Sequence, residues 1–408
     1  MSKPITRIIH HPYVPPAGFD APQPGVFKAS TVIFRDTAAM RARDWKTKVG
    51  YTYGLHGTPT TFTLEERIAT IEGGKHCILT PSGLAAIAIV GMALLQTGDE
   101  VLIPDNAYGP NKALAEGELR NWGITHQFYD PMDPADLAAR IGPRTRLVWL
   151  EAPGSVTMEF APVAHLADIC RKRGVTSALD NTWAGGVAFN GFDLGQGERQ
   201  VPGSGADVVV HALTKYPSGG GDVLMGAVVT RDDALNQKLK LTHMRMGWGV
   251  GANDAEAILR SLPSLPVRYR AHDIAARALA QWLQQRSEIA VLLHPAFPGS
   301  PGHEHWRALC GGVAAASGTA TGGLAAGLFS VVFHERYSPA QVDAFCDALK
   351  LFKLGYSWGG PVSLVVPYDI ATMRRAWPYK GTLVRLSVGL EDVEDLRADL
   401  DQALGALG

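Results

Sequence analysis

The sequence predicts an α/β fold: a large domain around a mainly parallel sheet, followed by a smaller α+β domain. Three observations predict it. From about residue 61, short and strongly apolar runs alternate with helical stretches, and strands this apolar need helices on both faces of their sheet. After about residue 250 the texture changes to a long helical stretch that leads into further short strands. Before residue 61 the chain is rich in Pro, Gly and Thr and has little periodicity, so it reads as an extended arm that needs a surface to lie on.

Taken in order, the arm covers 1–60, the parallel-sheet domain 61–255 and the α+β domain 256–408. The first periodic segment, LEERIATIEGG, is a helix that Gly73 and Gly74 stop. Strand candidates follow at 77–80 (CILT), 100–104 (EVLIP), 146–153 (RLVWLEAP), 175–180 (VTSALD), 206–214 (ADVVVHALT) and 226–230 (GAVVT), with helices such as VAHLADICRKRG between them. In the last third, DAEAILRSL and IAARALAQWLQQR are helical, 327–333 and 382–390 are strands, and DVEDLRADLDQAL is a capped terminal helix.

Composition limits the functional classes. The chain has 408 residues, 38 basic against 39 acidic, for a net charge of −1. That balance argues against a nucleic-acid or membrane surface, since both need clustered positive charge. The four cysteines have no CxxC spacing; Cys77 and Cys170 sit in apolar runs and read as core. A reducing, cytoplasmic setting is expected, with no metal site. The N-terminus lacks a long apolar stretch, and no apolar run approaches a membrane span in length.

Four features carry chemistry. Lys215 ends an apolar strand and precedes a glycine-rich loop, a place that points into the crevice where open α/β sheets bind ligands. It also reads as a plain solvated lysine. Asp180 ends another apolar strand and is placed to hold a cationic ring nitrogen, or simply to begin a turn with Asn181 and Thr182. The segment TPSGLAAI follows the strand at 77–80 and opens a helix, so Ser82, Gly83 and Leu84 offer an anion site at a helix N-terminus. Ser82 reads equally as a helix cap. Tyr108 follows the strand at 100–104 and could stack on a planar group or pack in its loop. A lysine, a carboxylate, an anion-binding helix start and a flat aromatic, all at strand ends of one sheet, are together what pyridoxal phosphate requires.

From about residue 25 onward the chain resembles the Cys/Met-metabolism family of pyridoxal-phosphate enzymes, and its cystathionine β-lyase branch in particular. The matching stretches, in order, are YGLHGTPTTFTLE, PSGLAA, DNAYGP, EAPGSVTMEF, DNTWAGG, LTKYPSGGGD, HPAFPGSPGH, YSWGG and TLVRLSVGLED. The resemblance implies a fold-type-I enzyme, similar in architecture to aspartate aminotransferase. It implies that Lys215 carries the cofactor covalently, that Asp180 pairs with the ring nitrogen and that Tyr108 stacks on the ring. Ser82, Gly83, Leu84, Thr214 and Thr182 join the cofactor set. Tyr53 would reach a neighbouring subunit's site, making a dimer the minimum and a tetramer the family expectation. Arg385 would clamp the substrate α-carboxylate, with Ser357 and Trp358 lining the pocket.

By itself, an arginine on a strand face is usually solvated, so the clamp at Arg385 rests on the resemblance. DNTW and YSWGG resemble the β-lyases rather than the γ-type enzymes, which implies β-elimination of L-cystathionine to homocysteine, pyruvate and ammonia. The alternatives are a broader cysteine-S-conjugate β-lyase or cysteine desulfhydrase, a γ-lyase, and a pyridoxal-phosphate-binding regulator without turnover. A dinucleotide-binding domain is disfavoured because no GxGxxG follows a strand. Two positions depart from the family pattern: Leu55 stands where an arm arginine helps bind phosphate, and Ala212 where many members have a hydroxyl.

Overall fold

The computed structural model describes residues 3–10, 17–18, 21–195, 203–311 and 323–408. Seven strands form the larger sheet: β1 (His76–Thr80), β2 (Glu100–Pro104), β3 (Thr125–Tyr129), β4 (Thr145–Glu151), β5 (Thr176–Asp180), β6 (Val208–Ala212) and β7 (Gly226–Thr230). Their spatial order is β1-β7-β6-β5-β4-β2-β3. The β3-β2-β4-β5-β6 run is parallel throughout, and β7 runs antiparallel to both β6 and β1. Burial explains the apolar strands: β2 and β7 are buried along their whole length, and β4, β5 and β6 nearly so. The fold is that of the fold-type-I enzymes.

The second sheet has the order β10-β11-β12-β9-β8. Its strands are β8 (Ile289–Leu293), β9 (Leu328–Phe333), β10 (Lys353–Leu354), β11 (Leu364–Tyr368) and β12 (Leu383–Ser387). Pairing is antiparallel except between β10 and β11. The helix Leu265–Gln284 and the terminal helix Val393–Leu404 share its apolar core with Phe329, Phe333 and Phe345.

Three details differ from the sequence reading. The first long helix begins earlier, at Pro59, because Thr58 and Thr61 form a reciprocal capping box ahead of it. β3 is absent from the sequence prediction, since THQFY alternates polar and aromatic residues at a sheet edge. The arm is largely exposed over 21–53 but is not extended throughout: Pro4–Ile9 and Thr37–Arg41 are helical, and Ile8 is fully buried in the main core. Residues 1–2, 11–16 and 19–20 of the arm lie outside the described residues. All four cysteines are free and buried, Cys310 and Cys346 as well as the two expected in the core.

Candidate active site

The parallel run sets the site. Its strands end on one side, so β4, β5 and β6 deliver Glu151, Asp180 and the Lys215 turn to one rim. Asp180 pairs in register with Glu151 on β4 and Val210 on β6. The chain leaves β6 at Ala212 and turns within three residues, and Lys215 N–H donates to Ala212 O at 3.1 Å. Ser218 Oγ donates to Thr214 O at 2.9 Å, which closes the turn.

Lys215 Nζ donates to Ser357 Oγ at 2.9 Å and lies 5.3 Å from the centre of the Trp358 ring. Burial lowers its amine to about 8, the nearby Arg385 cation adds to the effect, and Asp180 opposes it. Ser357 itself holds φ at 142°, a strained backbone for a residue with a Cβ. Arg385 is 7% exposed and sits in a strand buried at every position, so the solvated-strand alternative fails. Its guanidinium donates to Ser357 O at 3.3 Å and lies 5.4 Å from the Tyr368 ring centre. Burial pushes it below the ordinary arginine range, while Tyr368 pulls the other way.

Asp180 Oδ1 accepts the Thr182 N–H at 3.0 Å. Burial raises the carboxyl, against the hydrogen bonds of Thr182 and the fields of His211 and Lys215. Thr182 Oγ1 accepts the Ala212 N–H at 2.9 Å, so its hydroxyl ties β5 to β6. Tyr108 is 42% exposed at the rim; burial first, then Asp180, Glu151 and Tyr368, raise its hydroxyl. Its hydroxyl feels both strand-end carboxyls, and its backbone N–H is bonded to one of them, Glu151.

The helix Gly83–Leu94 starts against the same strand end. Ser82 Oγ accepts the Ala85 N–H at 3.0 Å, so Ser82 is the N-cap. Gly83 and Leu84 then head the helix with N–H groups that no intrahelical bond uses. A Cβ on Gly83 would stand 2.5 Å from Ala212 Cβ. Only glycine lets this helix start come so close to the end of β6. Thr214 Oγ1 is engaged at the turn, accepting from Met225 N at 3.2 Å.

These groups fit pyridoxal phosphate. The amine of Lys215, its proton affinity lowered by burial, the buried carboxyl of Asp180 and the glycine-headed helix match its aldehyde, ring nitrogen and phosphate respectively.

Not every predicted residue joins this cluster. Tyr53 keeps its contacts within the arm: its hydroxyl accepts from Ser30 Oγ at 3.4 Å, and its ring meets His56 edge-on at 5.8 Å. Leu55 lines a cavity of about 620 Å³ with His56, Lys48, Glu65 and His243, apart from Lys215. Trp183 is buried against Phe160, with ring centres 5.9 Å apart, so it belongs to the core rather than the pocket wall.

Sequence reasoning missed Glu151, whose Oε2 accepts the Tyr108 N–H at 2.9 Å. Burial and then Asp180 hold its carboxyl well above the usual range. A charged residue directly after the apolar run Leu147–Leu150 was the available signal. It also missed a buried trio behind Asp180. Glu72 accepts from His211 Nε2 at 2.7 Å, from Asn181 Nδ2 at 3.0 Å and from Gly191 N–H at 2.6 Å. Among the described residues no group of His, Cys, Asp and Glu is placed to hold a metal, and no helix is long and apolar enough to cross a membrane.

Fold and site together define a fold-type-I pyridoxal-phosphate enzyme. The chain belongs to the Cys/Met metabolism PLP-dependent enzyme family, whose pattern matches residues 5–405. It is similar to cystathionine beta-lyase of Bordetella avium, 37% identical over 413 residues, covering 99% of this chain and 98% of that protein. It is also similar to the L-alanine/L-glutamate racemase of Wolbachia pipientis wMel, 33% identical, covering 88% and 83% respectively. Among solved structures, metB of Corynebacterium glutamicum superposes with a TM-score of 0.83 at 29% identity, covering 100% of this chain and 99% of that one.

Proposed function

We propose that the protein catalyses β-elimination of L-cystathionine, giving homocysteine, pyruvate and ammonia. The observation that carries this reading is the Lys215 amine, with its affinity for protons lowered, held by Ser357 within the field of Arg385. A lysine in that state takes and returns protons near neutral pH.

In this reading Lys215, Asp180, Tyr108, Ser82, Gly83, Leu84, Thr214 and Thr182 form the cofactor site, and Tyr53 completes it from a second copy of the chain. When bound, the cofactor supplies an electron sink for negative charge at the substrate Cα. Asp180 keeps the ring nitrogen charged. Arg385 binds the α-carboxylate through its planar fork, and Ser357 and Trp358 wall the pocket. Lys215 Nζ removes the Cα proton and afterwards delivers a proton to the departing sulfur. Tyr108 covers the ring and excludes water from it. A homo-oligomer of two or four chains in a reducing cytoplasm is part of the same reading, and the four free cysteines support the setting.

The similarity to a racemase concerns the same first event, since Cα proton removal begins both reactions. Product analysis separates them. With L-cystathionine, homocysteine and pyruvate should accumulate in equal amounts. Cysteine with 2-oxobutyrate would place the protein with the γ-lyases. Exchange of the Cα proton without release of a thiol would point to racemase chemistry, and no turnover at all to a cofactor-binding regulator.

A further inference from the structure

Arg374 lies in the connection between β11 and β12, the two strands that carry Tyr368 and Arg385. Its guanidinium is almost buried among partners from the large-sheet rim. Nε donates to Asp105 Oδ2 at 3.2 Å, and Nη1 to Thr157 Oγ1 at 2.7 Å. Nη2 pairs with Glu159 Oε1 at 3.1 Å. Asp105 follows β2 directly and stands three residues before Tyr108; Thr157 and Glu159 lie in the loop that leaves β4 after Glu151.

Other bonds reinforce the joint. Lys112 Nζ donates to Met373 O at 2.9 Å and to Asp105 O at 3.0 Å. Ser155 N–H donates to Asn106 O at 2.8 Å, which joins the two strand-end loops to each other. The connection is thus fastened to the rim of the large sheet beside the cofactor-stacking loop. A guanidinium suits this joint because its donors are fixed in one plane and reach acceptors on two sides; an ammonium has no such geometry.

We propose that Arg374 is a positioning residue: it fixes the separation between the Tyr108 ring and the Arg385 clamp. It touches neither substrate nor cofactor. Through Asp105 it sets where the Tyr108 loop sits on the large sheet, and through its own backbone it sets where the β11-β12 pair presents Arg385. The inference rests on the reading of Tyr108 and Arg385 as cofactor- and substrate-binding groups.

The test compares the full-length, cofactor-loaded enzyme as wild type, Arg374→Lys and Asp105→Asn. In Arg374→Lys the charge remains and the two-sided fork is lost. Misplacement of about an ångström can cost on the order of a hundredfold, so KM for the thioether should rise roughly tenfold while kcat falls less. The visible circular dichroism of the bound cofactor should change as the Tyr108 ring shifts. Glycine, which has no Cβ to lose, should perturb the cofactor's absorbance only at a concentration raised in parallel with KM. Asp105→Asn should move the same three readouts in the same direction by less.

If Arg374→Lys melts earlier yet keeps wild-type KM, dichroism and glycine binding, Arg374 only holds the chain together and the proposal is overturned. Should Arg374→Lys fail to fold, Asp105→Asn is judged by the same criteria. Failure of the underlying reading has a different mark: Arg385→Ala would then leave glycine binding unchanged.

Discussion

Two clusters of charge lie near one another at the rim of the large sheet and are built on opposite plans. Around Arg374, each charge has an opposite partner: Asp105 and Glu159 flank the guanidinium, and Lys112 adds to Asp105. Around Lys215, the side chains have no such pairs among the described residues. The lysine meets a serine hydroxyl, and Arg385 meets a backbone carbonyl and the tyrosine Tyr368. Asp180 and Glu151 adjoin each other, carboxyl beside carboxyl. Each of these four groups is displaced toward its neutral form, the bases downward and the acids upward. Buried charge without a partner is costly, and functional sites are where proteins keep it. The contrast separates groups neutralised by an opposite charge from groups displaced toward their neutral forms, the pattern typical of functional sites.

The largest expected effect comes from removing the amine. Lys215→Ala should reduce turnover at least ~10³-fold, within the range of lost general acid-base catalysis. Borohydride reduction followed by mass spectrometry should no longer attach the cofactor to the protein. Stability should respond in the opposite sense. The folded protein binds the Lys215 proton less tightly than the unfolded chain, so near pH 7 the charged amine opposes folding. The cofactor-free variant should therefore melt no lower than cofactor-free wild type at pH 7. A large drop in melting temperature would move Lys215 to the structural side of the comparison.

The legibility of these groups in the sequence follows from how each is placed. The apolar runs of β4, β5 and β6 disclosed the parallel sheet, because burial on both faces leaves only apolar choices. Lys215 and Asp180 were readable as charges at the ends of such runs. Arg385 was not: a strand position says which face a side chain takes, not whether that face is covered, and here both are. The Arg374 joint unites residues 105, 157, 159 and 374, and only the folded chain brings such distant positions together. Ser82 shows the converse, since both its readings predict the same helix start and the structure displays the cap.

Arg385→Ala tests the second unpaired cation. A charge-assisted bidentate pair is worth about 1.5–3 kcal/mol, so KM should rise roughly tenfold or more, with a smaller loss in kcat. A second effect is specific to this geometry. Arg385 helps depress the Lys215 amine, so its removal should raise that amine above about 8. The base form appears as pH rises through the amine's value; hence the ascending limb of kcat against pH should move to higher pH in the variant. An unchanged KM together with an unmoved limb would separate Arg385 from both substrate and lysine.

Glu151→Gln carries the smallest expected effect on rate, and it probes the comparison most finely. Burial and the adjoining Asp180 hold the Glu151 carboxyl well above its ordinary range, which favours its neutral form, and Oε2 accepts the Tyr108 N–H. Glutamine is also neutral, has nearly the same shape and accepts the same bond. Turnover should therefore stay within about threefold of wild type, the range expected when a hydrogen-bonding isostere replaces its parent. Stability supplies the signed test. A carboxyl whose folded value is raised contributes stability that is complete below its unfolded value and is lost as pH rises through the folded one. Glutamine has no such loss. The melting temperature of Glu151→Gln minus that of wild type should thus grow more positive from pH 4 toward neutrality and level off above the folded value. If that difference is flat with pH and turnover falls more than tenfold, Glu151 is ionised in the folded protein, and the rim then carries a second negative charge beside Asp180.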